Sequence, residues 1–301
     1  MNRWILGATA LVTAVLAQPA FAQTAPAPEH RLEDVVVEGN RLAERVERFV
    51  KDVIAAPVNR GPARWASPVC VGVANLNQEV ARGIIDEVAT VALRAGVEVS
   101  EPGCDPNVLI VATADGDATA RALVERAPRA FIPAYSGGSR SRRQLEAFQS
   151  VDTPVRWWHT SIPVIRDTGE AAVRMPGRDA PLIPAPNSRI QTATRNDLRA
   201  AFIILDIDQA SGLSVQQLGG YIGMVAMAQI DPDTDTAGYD SVLNLFRSDP
   251  TVEGVTPWDV SYLTALYDSE LNRQHAVHQA GEIASMMTRD QRRQQAGTPE
   301  D

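Results

Sequence analysis

A glycine-rich apolar segment, FIILDIDQASGLSVQQLGGYIGMVAM at residues 202–227, constrains the fold more than any other part of the chain. Its first residues are apolar and β-branched and predict a buried strand that ends near Asp206. Ser214 and Gln217, three residues apart, form the pattern of a capping box and predict the start of a helix. A strand, a tight turn and a helix in succession are typical of a layered fold that contains both elements.

The helix predicted after Ser214 contains three glycines within five residues: Gly219, Gly220 and Gly223. Each glycine costs about 1 kcal/mol relative to alanine in the interior of a helix. Close approach of another backbone is the usual reason for keeping glycine at such positions. The apolar residues around them keep helical spacing, so we expect one face of this helix to lie in the core.

Residues 216–224, QQLGGYIGM, resemble the HELGHALGL segment of matrixin-like zinc peptidases. In that family the two histidines bind zinc and the glutamate is the general base. Gln216 and Gly220 stand where the histidines would be, and Gln217 stands where the glutamate would be. The chain therefore keeps the packing residues of the segment and lacks the three residues that carry its chemistry.

Two later segments extend this resemblance to about residue 270. Residues 241–244, SVLN, are similar to the turn after the third zinc ligand, with Leu243 at the methionine position. Residues 256–267, TPWDVSYLTALY, are similar to the closing helix of the family. The resemblance implies an α+β fold with α/β layers, a zincin-like scaffold in which a mixed sheet packs against a helix of the active-site type. Because zinc needs imidazole, thiolate or carboxylate ligands, it also implies an inactive scaffold without metal or other cofactor.

The chain as a whole has an arginine–tryptophan pair at Arg64 and Trp65, followed by Pro-x-Cys at residues 68–70. A second cysteine precedes an apolar strand that begins with Asn107. Together with the glycine-rich helix, which stands where the group has an L-A-D-Y-type helix, these features resemble a group of uncharacterised exported proteins of Gram-negative bacteria. That group has no assigned activity, so the resemblance implies export and not a reaction.

The first 22 residues have the organisation of a signal peptide. Arg3 supplies the positive charge, residues 5–16 form an apolar core too short to span a bilayer, and cleavage is expected after Ala22. We therefore expect a periplasmic or secreted protein with no membrane span. The formal net charge of −9 argues against nucleic acid as a partner.

The rest of the chain predicts the following organisation: a linker at 23–40 with a short edge strand at 33–41, an N-terminal α/β subdomain at 41–130, a C-terminal zincin-like subdomain at 131–290 and a disordered tail at 291–301.

The chain has two cysteines, Cys70 and Cys104. In an oxidising compartment we expect them to form a structural disulfide that stabilises the fold by roughly 3–4 kcal/mol. A redox pair is the alternative, although the spacing is not Cys-x-x-Cys.

Two segments between residues 128 and 200 are candidate ligand sites. The first is a group of arginines after two glycines: Arg140, Arg142 and Arg143. Guanidinium groups suit carboxylate or phosphate, although the segment also fits a solvated loop before a helix. The second is an aromatic strand segment: Trp157, Trp158 and His159. Its side chains point both ways, so it either lines a groove or belongs to the core.

Two classes of function are compatible with these features. The first is a non-catalytic exported protein, a pseudo-peptidase that binds a peptide or another envelope component, with the peptide along the edge strand ahead of the glycine-rich helix. The second is a periplasmic hydrolase or metallopeptidase whose site is not recognisable from the sequence. The sequence has no Gly-x-Ser-x-Gly elbow and no metal-binding triad, which favours the binding protein.

We expect exported protein to begin at Gln23, because a small-residue cleavage site follows the apolar core. The intact mass and the N-terminal sequence of protein recovered from the periplasm or the medium measure this. Protein that is found in the cytoplasm alone and still carries Met1 would contradict the prediction.

Overall fold

The computed structural model describes residues 32–56, 61–132, 141–172, 183, 185, 191–247, 252–270 and 275–297. The chain divides into two compact units, residues 1–38 and residues 39–301. In the first unit the described residues, from Leu32 onward, are helical. The predicted signal peptide and Arg140 lie outside the described residues.

The described residues form eight α-helices, one short 3-10 helix and four strands. In chain order these elements are α1 (Leu32–Val53), β1 (Val71–Ala74), α2 (Gln78–Arg94), β2 (Val108–Thr113), α3 (Gly116–Arg126), α4 (Pro128–Phe131), α5 (Arg142–Phe148), β3 (Val155–Ile165), β4 (Thr194–Asp206), α6 (Val215–Met227), the 3-10 helix (Val242–Asn244), α7 (Pro257–Asp268) and α8 (Ala276–Gly297). The α+β fold predicted from the sequence is confirmed.

The four strands form one mixed sheet in the order β1-β2-β4-β3. β1, β2 and β4 are parallel, whereas β3 runs antiparallel to β4 with Val155 opposite Leu205. β2 pairs with β4 from Val108 opposite Ala201 to Thr113 opposite Asp206. The boundary predicted near residue 130 therefore does not separate two sheets, because strands from both sides of it share this one.

Helices cover both faces of the sheet, so the fold has three layers. Successive residues of a strand point to opposite faces, and on β3 these are Trp157 and Trp158. Trp157 packs near Tyr221 of α6, in the larger core formed with α1, α2, α7 and α8. Trp158 packs near Phe148, in the smaller core formed with α3, α4 and α5. The prediction of aromatic side chains on both sides of this strand is confirmed.

Glycine allows α2 and α6 to cross at close range. A Cβ atom added to Gly219 would lie 2.5 Å from Glu87 Cβ, and one added to Gly223 would lie 2.7 Å from Val91 Cγ2. Carbon atoms in a packed interior do not approach so closely, so a larger residue would push the helices apart. The expected close contact is present at the α2–α6 crossing, but the nearest atoms there are side-chain atoms of α2 and not the backbone that was expected.

Side chains from three other elements hold the last turn of α6. The C-cap residue Ala228 is extended, so the terminal carbonyl groups need donors from outside the helix. Three aromatic residues supply them: His159 Nε2 donates to Val225 O (2.7 Å), Trp65 Nε1 to Ala226 O (2.9 Å) and Tyr267 Oη to Met227 O (2.8 Å). Since a carbonyl oxygen can only accept, Nε2 of His159 carries a proton.

Arg64, next to Trp65, caps the C-terminal end of α7. Its Nη1 atom donates to the carbonyl oxygens of Leu266 (3.0 Å), Tyr267 and Ser269 (3.0 Å). Burial lowers the pKa of its guanidinium group. The arginine–tryptophan pair therefore joins the ends of two helices, α6 through the indole and α7 through the guanidinium.

Asp259, in the first turn of α7, is a fully buried carboxylate that accepts four hydrogen bonds. Ser241 Oγ donates to Oδ1 (2.6 Å), and Oδ2 accepts from Val242 N (2.7 Å), Thr256 N (3.0 Å) and Thr256 Oγ1 (2.9 Å). These bonds join the turn at residues 241–244 to the start of α7. Burial raises the pKa of Asp259 to about 6, although the hydrogen bonds oppose that shift.

Two helices extend beyond their predicted ends. α1 begins at Leu32, so the edge strand predicted at residues 33–41 is wrong. α8 continues to Gly297, so the predicted disordered tail does not begin at residue 291. Three consecutive valines favour a strand only weakly, whereas an existing helix gains a hydrogen bond with each residue that it adds.

Cys70 and Cys104 form a disulfide bond, as predicted, with their Cα atoms 6.1 Å apart. It connects the residue before β1 to the loop before β2.

Within the described ranges, none of the helices combines the length and the hydrophobicity that a membrane span requires.

The buried carboxyl group of Asp259 should make stability depend on pH. An acid whose pKa is raised in the folded state keeps its proton there after the unfolded chain has lost it, so its contribution to stability falls as pH rises. We expect the free energy of unfolding of the wild type, relative to Asp259→Asn, to fall by roughly 3 kcal/mol between about pH 3 and pH 7. Urea unfolding of both proteins measures this difference, and a difference that rises with pH would contradict the assignment.

Candidate functional site

Gln217 and Gly220, two of the positions at which the sequence resembles the zinc-peptidase segment, lie beside residues 252–255. Gln217 N donates to Ser214 Oγ (3.1 Å) and Ser214 N donates to Gln217 Oε1 (3.0 Å), so the predicted capping box is present. Gln217 Nε2 also donates to Val252 O (3.0 Å). At the position of the general base, the chain therefore has a glutamine that starts α6 and holds the loop.

Gly220 is buried against the backbone of the same loop. A Cβ atom added to Gly220 would lie 3.0 Å from Val255 N and 3.3 Å from Gly254 Cα. The nearest atom to a Cβ added to Gly254 is Gln216 Cγ, at 3.5 Å. Main chain therefore occupies the space into which a metal ligand at position 220 would project.

A separate cavity of about 380 Å³ lies along the start of β3. One wall is formed by α5 and the other by Tyr221 of α6 together with parts of residues 230–236 and 243–247. Its lining includes large apolar and aromatic residues beside polar and charged ones, and the large apolar and aromatic residues include Phe148, Val155, Trp157, Tyr221, Leu243 and Phe246. Cavities of about 300–1,000 Å³ with apolar walls and a few polar groups are typical ligand sites.

The strand ahead of α6 is β4, which pairs with both β2 and β3, so the prediction that it is an edge strand is wrong. The edge strand on this side of the sheet is β3, and residues at its start line the cavity. In an antiparallel pair, alternate residues direct their N–H and C=O groups to the partner strand. Asp206 N donates to Pro154 O (2.9 Å), so Pro154 faces β4 and the main-chain groups of Val155 and Trp157 face outward. Both residues line the cavity, although only 1% of Val155 and 6% of Trp157 is exposed. The cavity therefore exposes only a small part of this edge.

Arg156 fixes the α5 side of the cavity. Its guanidinium is buried and donates from Nη1 to Asp117 Oδ1 (2.9 Å) and to Phe148 O (3.3 Å). A Cβ atom added to Gly116 would lie 2.7 Å from Arg156 Nη2, so glycine at the start of α3 makes room for the guanidinium. Hydrogen bonds from Arg121 and Arg156 lower the pKa of Asp117. Arg156 therefore links β3 to α3 and α5.

Tyr221 and Arg247 lie together on the opposite wall. The ring of Tyr221 contacts Trp157 and Phe246 edge-on, with centroids 6.2 and 4.9 Å apart. Burial raises the pKa of the Tyr221 hydroxyl, whereas the positive charge of Arg247 acts in the opposite direction. Arg247 donates from Nη1 to Asp235 Oδ1 (3.2 Å) and from Nη2 to Thr234 O. This corner of the cavity therefore presents hydrogen-bond donors with positive charge.

Of the predicted candidate ligand residues that the structure describes, Trp157 alone lines this cavity. Trp158 Nε1 donates to Phe131 O (3.0 Å) in the smaller core, and His159 is buried against α6. Arg142 and Arg143 are exposed in the first turn of α5. The structure therefore places the predicted aromatic segment mainly in the core and leaves these two arginines outside the cavity.

Sequence reasoning missed Tyr221, Arg156 and Arg247 as cavity residues. Tyr221 had one detectable signal, a hydroxyl group within an otherwise apolar stretch of the glycine-rich helix. The two arginines had none, because they come from segments 91 residues apart that only the fold brings to one cavity.

Comparison with protein-family models, with curated proteins and with solved structures finds no significant match to this chain. In the part of the chain that the structure describes, no group of three or more His, Cys, Asp or Glu side chains is arranged to hold a metal ion. The interpretation of the cavity therefore rests on the residues that form it.

Gly220→His should destabilise the protein, because the new side chain would meet the backbone of residues 254–255. We expect a loss of about 1–3 kcal/mol or more in the free energy of unfolding, measured by urea denaturation. Gly281→Ala is the matched control. A Cβ atom added to Gly281 in α8 meets nothing within 4 Å, so this change should stabilise the helix by about 0.4–1 kcal/mol.

Wild-type stability of Gly220→His would contradict the packing argument at this position.

Metal content and peptidase activity separately test whether the segment at residues 216–224 is inactive. Gln217→Glu should leave the protein without peptidase activity, because Gln216 and Gly220 cannot hold a metal ion that acidifies water. Elemental analysis that finds one zinc per chain would overturn that reading.

Proposed function

We propose that this chain is an exported, non-catalytic protein that uses a zincin-like scaffold to bind an extended peptide segment of another envelope protein. The cavity beside β3 is the site, and its position at the outer edge of the sheet is the observation that carries the proposal. The disulfide and the signal-peptide pattern support export, because disulfides persist in oxidising compartments.

Three features support the zincin-like part of the proposal. A mixed sheet packs on α6, as the resemblance implies. The turn at residues 241–244 and the start of α7, which resemble consecutive parts of the peptidase fold, are joined by the buried carboxylate of Asp259. The glycines of α6 pack closely against neighbouring elements, whereas the positions that would bind zinc in the family carry no metal ligand.

The roles of the motif positions support a non-catalytic function. Gln217 is engaged by Ser214 and Val252, and Gly220 is packed against main chain. Substitution of these residues by a general base and a metal ligand would therefore compete with contacts that form the fold. A scaffold of this kind fits binding better than hydrolysis.

The shape of the cavity supports a peptide as the ligand. Peptides that bind at a sheet edge use main-chain hydrogen bonds for affinity and side-chain pockets for specificity. The outward main-chain groups of Trp157 and the aromatic walls provide both kinds of contact within one cavity. Tyr221 and Phe246, whose rings contact each other, form an aromatic surface against which an apolar side chain of a peptide would pack.

A substitution at the mouth of the cavity tests this proposal. Ala147 is an exposed residue of α5 that lines the cavity, so Ala147→Trp should obstruct entry without changing the core. The control is Ala122→Trp, at an exposed alanine of α3 that does not line this cavity. Peptides selected by the wild type from a phage-displayed library of random sequences serve as probes.

We expect Ala147→Trp to weaken binding of the selected peptides about tenfold or more, whereas Ala122→Trp should bind as the wild type does. Fluorescence anisotropy with labelled peptides measures both affinities. Equal affinity of all three proteins would exclude the cavity as the peptide site. Cleavage of the peptides by the wild type, abolished by a chelator, would favour the metallopeptidase alternative.

A further inference from the structure

The hydroxyl group of Tyr221 has no hydrogen-bond partner among the described residues. Tyr267, by comparison, donates from its hydroxyl to Met227 O (2.8 Å). Only 7% of the surface of Tyr221 is exposed, and the residue lines the cavity. Its hydroxyl oxygen is not one of the buried side-chain atoms that lack a partner among the described residues, so it is accessible. An accessible donor of a cavity-lining residue, with no protein partner, is free to bind a ligand.

Arg247 brings positive charge to the same corner of the cavity. Its guanidinium has five N–H donors, and the contacts with Asp235 and Thr234 occupy only some of them. The side chain of Asp235 is 80% exposed, so its ion pair with Arg247 is screened by water and contributes little. Arg247 therefore retains both charge and hydrogen-bonding capacity toward a ligand.

A phenol and a guanidinium that line the same cavity are together complementary to an acceptor with negative charge. Because burial disfavours the phenolate, the Tyr221 hydroxyl remains protonated at neutral pH and acts as a donor. A carboxylate can accept from the phenol with one oxygen and from the guanidinium with the other. Trp157 and Phe246 beside Tyr221 would contact an apolar group attached to that carboxylate.

Acidic residues limit where such a group can bind. Asp152, Asp231 and Asp233 also line the cavity. Asp152 Oδ1 already accepts from Gln209 Nε2 (2.8 Å), and Asp231 Oδ1 accepts from Asp233 N (3.1 Å). Their charges would repel a carboxylate elsewhere in the cavity, which restricts it to the corner formed by Tyr221 and Arg247.

We infer that the corner formed by Tyr221 and Arg247 is a carboxylate-binding subsite, which recognises a carboxylate next to an apolar group of the bound peptide. The inference rests on the proposed peptide-binding function of the cavity. The carboxylate can come from an aspartate or glutamate side chain or from the C-terminus of the peptide, and the two sources present the same chemistry.

A pair of small probes tests the subsite without a peptide. 3-Phenylpropanoate carries a carboxylate and an aromatic ring, and 3-phenylpropanamide is its neutral counterpart of the same shape. We expect the carboxylate to bind the full-length mature protein at least about tenfold more tightly than the amide, in titrations followed by NMR. Arg247→Gln should remove this preference. Equal binding of the two probes would overturn the inference.

Two conservative variants separate binding from folding. Tyr221→Phe and Tyr262→Phe each remove a hydroxyl that has no partner among the described residues, and of the two only the Tyr262 hydroxyl is buried. Both variants should therefore keep or raise the melting temperature. Only Tyr221→Phe should weaken 3-phenylpropanoate, because Tyr262 is fully buried in the core and does not line this cavity. Unchanged binding to Tyr221→Phe would overturn the role of the phenol.

The selected peptides identify the source of the carboxylate. Each is compared with its C-terminal amide and with versions in which aspartate or glutamate is replaced by asparagine or glutamine. Loss of affinity in one of these series supports the inference and names the source. Peptides that bind at the cavity equally well in every form overturn the carboxylate subsite and leave the proposed function intact. A probe preference without any peptide binding overturns the proposed function and leaves the subsite intact.

Discussion

The fold depends on the three carbonyl oxygens at the end of α6. These groups are buried and would each cost free energy without a donor. The donors come from β3, from the segment before β1 and from α7, through His159, Trp65 and Tyr267. Because each donor is aromatic, it also fills space in the core around the helix end. The C-terminal end of α6 is therefore joined to β3, to the segment before β1 and to α7, and fixes their positions around it.

The glycines of α6 place this helix in close contact with its neighbours, which leaves no room for the metal ligands of the family that the segment resembles. Gly219 and Gly223 permit close contact with α2, and Gly220 permits close contact with the loop at residues 254–255. The loop is held by Gln217 through Val252 O. The face that would carry metal ligands is therefore an interior surface. The accessible chemistry lies instead around Tyr221, next to the edge of the sheet.

Local patterns predicted the parts of this structure that local interactions determine. The capping box of Ser214 and Gln217, the strand before it and the cysteine pair follow from short-range chemistry or from the compartment. The cavity could not be predicted, because its walls come from α5, β3, α6 and the loop after α6. The misassigned strand at residues 33–41 shows the opposite error, in which composition outweighed the continuation of a helix. The aromatic segment of β3 was placed correctly on two faces, but that placement also left only Trp157 at the cavity.

Adjacent tryptophans on β3 have a consequence for how this chain can change in length. Trp157 Nε1 donates to Ile230 O and Trp158 Nε1 to Phe131 O, on opposite faces of the sheet. An insertion or deletion of one residue before Trp157 would move each indole to the opposite face of the sheet and break both hydrogen bonds. The bulge between Thr160 and Ser161 already absorbs one irregularity of pairing beyond this point. Homologous chains should therefore vary in length after the bulge and in the outer loops, while the first half of β3 keeps its length.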